Sequence, residues 1–340
     1  MKTIPPVLVV SLLFLANLCA QAADPKADFL KLINRPKVPL TPVVETLPTA
    51  DGLERYHFTY ASEAGVRVPG LLVKQAGNTR RPVVVVLHGT TESKDQYADL
   101  LTLLANKGFI AVATDGRFHG ERKTYGAPGD QYSDNIARAF NGSGAHPFYY
   151  DNVWDVTRLL DYLETRSDVD SSRIGMTGIS KGGIETYMTT AVDPRVKVAV
   201  PCIAMQSFRW ELDNDSWQAR ISSVQRAFDQ VVKQQGVKNP GPAFVRKFYD
   251  RVVPGIYGEF DGPSMITLIA PRPLLLINSD KDPLTPMGSL KVCIAAAEAA
   301  YRADHAGNRF DYIFQDSKEH LVSPKSFRSA IDWFVRWLKP

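Results

Sequence analysis

Arg173-Ile174-Gly175-Met176-Thr177-Gly178-Ile179-Ser180-Lys181-Gly182-Gly183 is the stretch on which the fold turns. Its first half is a short apolar run of the kind that forms a buried strand, and the residues after Gly183 read as a helix. Between them, Gly178-Ile179-Ser180-Lys181-Gly182 fits G-x-S-x-G, a sharp strand-to-helix turn that presents a serine hydroxyl at a helix N-terminus. Glycines flank the serine because the strained turn leaves no room for neighbouring Cβ atoms. The pattern alone is a weak signal, and it gains weight from the strand ends downstream of it.

A serine is a poor nucleophile at its free pKa and needs a histidine base, itself oriented by an acid. Downstream, Pro273-Leu274-Leu275-Leu276-Ile277-Asn278 reads as a buried strand and empties into Ser279-Asp280-Lys281-Asp282-Pro283-Leu284-Thr285-Pro286. Asp282 is the expected acid, because Asp-Pro followed by Pro286 fits a rigid presenting turn. Asp280 is the competing aspartate, and its plain role is to cap the next helix. The alternating run Phe310-Asp311-Tyr312-Ile313-Phe314 then leads to Asp316-Ser317-Lys318-Glu319-His320. His57, His146 and His305 lack such a strand-end setting, so His320 is the expected base. Open α/β sheets place their sites just past strand ends, which is where Ser180, Asp282 and His320 fall.

A third strand, Pro82-Val83-Val84-Val85-Val86-Leu87, ends in His88-Gly89-Thr90-Thr91. That position supplies one backbone N–H to an oxyanion, and the residue after the nucleophile supplies the other. The expected donors are Thr90 and Lys181, with His88 a structural histidine beside a tight turn.

The remaining pattern predicts an α/β fold with a mostly parallel central sheet flanked by helices. Arg55 to Ser62 and Gly65 to Lys74 alternate as an antiparallel start. Val83 to Leu87 and Phe109 to Thr114 are continuous apolar runs, as parallel strands buried on both faces should be. Gln96 to Lys107 reads as a helix stopped by Gly108, and Val153, Val156, Leu160 and Leu163 form a helical stripe. Val196 to Val200 is the sixth strand, and a helical insertion of about residues 204–270 follows it. Residues 23–50, rich in proline and lysine, are expected as an extended surface arm ahead of a catalytic domain over 51–340. Residues 117–150, rich in Gly, Asp, Asn and Tyr, are expected as a loop near the pocket mouth.

Lys2, an apolar run from Val7 to Leu18 and Ala20-Gln21-Ala22 make residues 1–22 a secretory signal peptide cleaved after Ala22. The expected location is therefore secreted or periplasmic. Leu15 to Cys19 loosely resembles a lipobox, but Leu18 is too large for the position before a lipidated Cys19. No other stretch reaches the ~20 apolar residues of a membrane span. Hydrophobic residues make up 44% and charged ones 22%, and the net charge of +4 is too small and dispersed to imply nucleic acid or a membrane surface. Without the leader only Cys202 and Cys293 remain of three cysteines, expected as buried free thiols. Their spacing excludes a zinc site, and no metal or organic cofactor is implied.

On His88-Gly89-Thr90, Asp115-Gly116-Arg117-Phe118-His119-Gly120, Gly178-Ile179-Ser180-Lys181-Gly182-Gly183, Asp282-Pro283 and His320, the chain resembles α/β-hydrolases. The group is that of dienelactone hydrolases, acetyl-xylan esterases and prolyl-oligopeptidase-like enzymes. The segment Ser207-Phe208-Arg209-Trp210-Glu211-Leu212-Asp213-Asn214-Asp215-Ser216-Trp217 is similar to one in a little-characterised plant and bacterial subgroup. Dienelactone hydrolases use cysteine where this chain has Ser180, and the residues ahead of Arg55 are too few for a peptidase propeller. The resemblance implies a serine hydrolase acting on a small-molecule or carbohydrate ester. A peptidase or amidase, an acyltransferase and a non-catalytic binding protein on this fold are the alternatives. His119, Trp210 and Trp217 are the candidates for substrate contact; the competing roles are a loop brace for His119 and core anchors for both tryptophans.

Overall fold

Val83, Val84, Val85 and Val86 are fully buried, and in the computed structural model of the chain, which describes residues 24–339, they lie at the centre of a nine-stranded sheet. The strands are β1 (Val43–Ala50), β2 (Leu53–Glu63), β3 (Val66–Gln75), β4 (Arg81–Leu87), β5 (Ile110–Thr114), β6 (Val169–Ile179), β7 (Val196–Cys202), β8 (Leu274–Ser279) and β9 (Phe310–Gln315). Their order is β1-β2-β3-β5-β4-β6-β7-β8-β9. The first three strands and the β3–β5 pair are antiparallel. From β5 through β4 to β9 every pair is parallel. This is an α/β-hydrolase sheet.

Twelve α-helices accompany it among the described residues: α1 (Pro25–Ile33), α2 (Ala98–Asn106), α3 (Asp130–Phe140), α4 (Tyr150–Glu164), α5 (Lys181–Val192), α6 (Phe208–Asp213), α7 (Gln218–Ile221), α8 (Gln225–Gln234), α9 (Pro242–Val252), α10 (Gly262–Thr267), α11 (Met287–Ala303) and α12 (Pro324–Leu338). Strand alternation sorts the core onto two faces. Val84, Val86, Ala111 and Val200 pack with Leu101 and Leu104 of α2 and Ile331 and Phe334 of α12. Val83, Val85, Val112 and Met176 face the other way, onto Leu159, Leu160 and Leu163 of α4.

Two expectations are corrected. Residues 23–50 are not an extended arm: Asp24 caps α1 by accepting from the N–H groups of Lys26 and Ala27, with Pro25 at the first helical position. Phe29 and Ile33 on α1 are buried in the main core, with Phe29 edge-on to Tyr150 at 5.0 Å. β1 extends the sheet by pairing with β2. Residues 117–150 are not simply a loop, since α3 buries Tyr132, Ile136, Ala137 and Phe140 at helical spacing.

Between β7 and β8 the chain runs through α6 to α10. Asp261 pins the two ends of this excursion. One carboxylate oxygen accepts from Ser207 Oγ at 2.6 Å, and the other from the N–H groups of Phe208 and Gly262, both at 2.8 Å. The excursion packs on α3 through Phe140, whose ring stacks on Phe248 at 6.0 Å. Cys202 and Cys293 are separate buried free thiols. Among the described residues no helix is long and apolar enough to cross a membrane. The predicted signal peptide, with Ala22 and Cys19, lies outside the described residues.

Candidate active site

Ser180 stands between the end of β6 and the start of α5 with φ +53° and ψ −113°, a strained conformation for a non-glycine residue. The glycines around it are there for close approach. A Cβ on Gly178 would stand 2.2 Å from the Gly182 carbonyl oxygen, and one on Gly182 would stand 2.3 Å from the Leu87 carbonyl oxygen. The turn is thereby pressed against the end of β4, beside His88.

The structure brings three of the predicted residues together. His320 Nε2 lies 2.7 Å from Ser180 Oγ, and His320 Nδ1 lies 2.6 Å from Asp282 Oδ2. Asp282 also accepts from the Leu284 N–H at 2.8 Å and the Thr285 hydroxyl at 2.9 Å. Burial acts to raise the Asp282 pKa, but the bond to His320, its charge and the other two donors outweigh it and hold the carboxyl below its ordinary value. Asp280 instead accepts from the Ser317 N–H at 3.3 Å, bracing the histidine loop.

Among the described residues the N–H groups of Thr90 and Lys181 make no hydrogen bond, so both are open to an acceptor. The Lys181 side chain turns inward: its Nζ lies 2.9 Å from Glu185 Oε1, and both residues are buried. His88 is fixed as a neutral tautomer. Its Nδ1 donates to the Gly89 carbonyl at 2.7 Å, and its Nε2 accepts from the Gly116 N–H at 2.8 Å. Burial, then the charges of Lys181 and His119, push its pKa well down.

The three candidates for substrate contact lie outside this arrangement, and no hydrogen bond joins them to Ser180, Asp282 or His320. His119 is 2% exposed and packs between His88 and Tyr132, with Nδ1 donating to the Arg117 carbonyl at 2.7 Å. Burial, then the Lys181 charge, lowers its pKa to about 3. It also lines a cleft of about 210 Å³ with Thr91, Phe118 and Gly129. Trp210 lies over Gly288 at the start of α11, where a Cβ would be 2.1 Å from its ring. Trp217 is half-buried, with its indole N–H on Asp215 at 3.1 Å.

Sequence reasoning missed Arg220, beside Ser180, and its partner Gln206. Arg220, on α7 and 1% exposed, has Nη1 3.4 Å from Ser180 Oγ and donates from Nε to Gln206 Oε1 at 2.7 Å. Arg220 carries no spacing signal, because α7 reads only as part of an amphipathic stretch. The Lys181–Glu185 pair, by contrast, has the i,i+4 spacing of a helical ion pair.

Comparison with known proteins agrees with the fold. The sequence profile of the acetyl xylan esterase family (AXE1) matches residues 31–222. The 4-O-methyl-glucuronoyl methylesterase of Hypocrea jecorina is 25% identical over 235 residues; the match covers 68% of this chain and 46% of that relative, so the chain spans less than half its length. The Bacillus subtilis protein YitV is 23% identical over 276 residues, 80% of this chain and 96% of its own. Acetyl xylan esterase 1 from Thermoanaerobacterium superposes with a TM-score of 0.67 at 16% identity, covering 92% of each chain, a likeness of fold.

Proposed function

The chain belongs to the acetyl xylan esterase family, and we propose that it is a serine carboxylic-ester hydrolase in which Ser180, Asp282 and His320 form the catalytic triad. The observation that carries this reading is the double contact of His320, 2.7 Å to Ser180 Oγ and 2.6 Å to Asp282 Oδ2. Ser180 Oγ attacks the ester carbonyl carbon while His320 Nε2 takes its proton. Asp282 holds Nδ1–H and stabilises the imidazolium that results. The N–H groups of Thr90 and Lys181 receive the oxyanion, at a helix N-terminus that favours negative charge. The tetrahedral intermediate collapses, His320 gives its proton to the departing alkoxide, and the alcohol leaves. Water then attacks the acyl-Ser180 ester, its proton passing to His320, and the acid is released with Ser180 reprotonated.

The family and the glucuronoyl methylesterase relative support an ester carried on a carbohydrate. The leader-like residues 1–22 support a secreted or periplasmic location, with catalysis in a domain that includes α1 and β1 and the insertion at about 204–270 beside the site. The test is hydrolysis of p-nitrophenyl esters from acetate to decanoate by the mature protein and by Ser180→Ala. Turnover confined to short chains and lost in the variant is expected. Turnover that survives in Ser180→Ala removes the serine mechanism.

A further inference from the structure

Among the described residues five lysine or arginine side chains are buried: Lys74, Lys94, Arg158, Lys181 and Arg220. Four of them have a carboxylate partner. Lys74 pairs with Asp168 at 3.0 Å, Lys94 with Asp115 at 3.0 Å, Lys181 with Glu185 at 2.9 Å, and Arg158 with Asp161. Arg220 has none. Its Nε and Nη2 both donate to one neutral oxygen, Gln206 Oε1, and its Nη1 faces Ser180 Oγ at 3.4 Å. The acid close enough for its charge to be felt is Glu211, which bonds to Ser289 Oγ at 3.1 Å. Burial pushes the Glu211 pKa up to about 8, which favours its uncharged form at neutral pH, and no ion pair joins it to Arg220.

A buried cation without an anion is strongly destabilising, and a chain keeps one where a ligand supplies the missing charge. Gln206 gives independent evidence for an absent acceptor. It is fully buried, and because its oxygen is fixed by Arg220, its Nε2 amide is left a donor with no acceptor. The hydroxyl of Tyr149, near enough to feel the guanidinium charge, is likewise buried and unpartnered. Tyr149 is held at φ +82°, the kind of strain that collects at binding sites.

We propose that Arg220 and Gln206 form a carboxylate-binding subsite beside Ser180, so that the preferred substrate is an ester bearing a free carboxylate close to its scissile carbonyl. The inference rests on Ser180 being the nucleophile. A charge-assisted bond of about 2.8 Å from Nη1, laid end to end with the 3.4 Å to Ser180 Oγ, keeps the carboxylate oxygen within about 6 Å of Oγ. That reach admits a carboxylate a few bonds from the reacting carbon. It can belong to the acyl side, as in a hemiester of a dicarboxylic acid, or to the alcohol side, as in an acylated uronic acid. Nη1, the guanidinium nitrogen not bonded to Gln206, can serve either.

Two matched pairs of esters separate these sources: monoethyl succinate against ethyl 4-methylpentanoate, and acetylated methyl glucuronoside against acetylated methyl glucoside. Wild-type protein is expected to favour the anionic member of one pair by at least about tenfold in kcat/KM, and the responding pair identifies the side. Arg220→Gln is expected to lose ~100-fold more activity on that anionic ester than on its neutral partner. Equal use of both members by wild type overturns the subsite. So does an equal loss on both members in Arg220→Gln, which would assign the charge to the serine or the oxyanion. Calorimetric titration of Ser180→Ala with succinate and with glucuronate needs neither turnover nor the arginine variant. Binding of one of these anions is expected, and binding of neither overturns the proposal. Should that binding be seen while no ester is hydrolysed by wild type, the anion site stands, and the hydrolase reading falls together with the ester preference that rests on it.

Discussion

The Asp282 carboxylate meets His320 Nδ1 at 2.6 Å, while Asp280, two residues earlier, is engaged by the Ser317 N–H. Of the two aspartates that sequence leaves to turn chemistry, Asp282 is the one directed at His320. Asp282→Asn is expected to lower kcat by about 10³–10⁴-fold by upsetting the histidine tautomer. Asp280→Asn is expected to stay within about tenfold, since it alters only a loop contact. Steady-state kinetics on one activated ester compares them, and the reverse order would move the acid upstream.

Gly182 abuts the backbone at the end of β4, where its missing Cβ would fall 2.3 Å from Leu87 O and 2.7 Å from His88 O. Neither carbonyl can yield without displacing the turn that carries Thr90. Gly182→Ala is expected to destabilise the fold by about 3 kcal/mol or more. Gly236 has φ +66° and open space around it, so Gly236→Ala carries only the left-handed strain of about 1 kcal/mol. Urea denaturation of the two variants reads the difference, and equal losses would show that the turn gives way more easily than its contacts imply.

How legible each feature is in the sequence depends on how it is held. β4 and β5 are buried on both faces, so their apolar runs are unbroken and plain to read. Ser180, Asp282 and His320 each come after a recognisable strand, which gives their order meaning. α1 is hidden by the prolines around it, although Asp24-Pro25 is a sound helix start, and β1 is exposed along nearly its whole length, so it lacks an apolar signature. Arg220 and Gln206 are illegible for a different reason. Each is a single residue whose burial depends on how the excursion from α6 to α10 folds back over Ser180, and an arginine in an amphipathic stretch reads as solvent-facing.

The Lys181 side chain is engaged apart from the main-chain N–H proposed to receive the oxyanion. The Nζ–Glu185 contacts of 2.9 and 3.1 Å are buried, and Asn152 donates to the same carboxylate at 2.9 Å. Burial raises the Glu185 pKa ahead of the lowering effect of Lys181, so losing the lysine favours protonation further. Lys181→Met is therefore expected to lose about 3–5 kcal/mol at pH 8, and less at pH 5, where the orphaned carboxyl takes up a proton more readily. Lys181→Met/Glu185→Gln is expected to recover at least half of that loss. Turnover should persist in the refolded variants, because the proposed oxyanion donor is the main-chain N–H. Denaturation curves at the two pH values decide it, and a double variant no better than the single would show that the ion pair is not the source.

Glu211 links stability to pH. It sits on α6 facing Ser289 of α11 and Arg220 of α7, with Asp261, Tyr149, Tyr249, Tyr257 and Cys293 near enough to feel its charge. Its pKa is raised from 4.5 to about 8, first by burial. Between those values the native carboxyl holds a proton that the unfolded chain has released, so its contribution to stability falls as pH rises from about 4.5 to about 8 and then levels off. Each unit of the shift corresponds to about 1.4 kcal/mol. Glu211→Gln is expected to match wild type near pH 4.5 and to be more stable by a few kcal/mol at pH 8.5. Above pH 8 the ionised Glu211 also neutralises Arg220, so the wild-type preference for the anionic ester is expected to shrink there and to persist in Glu211→Gln. Because that preference is a ratio of two esters on one enzyme, a pH effect on the chemical step common to both cancels from it. A stability gap independent of pH would remove Glu211 as the titrating group, and a preference that shrinks equally in both proteins would remove it from the subsite.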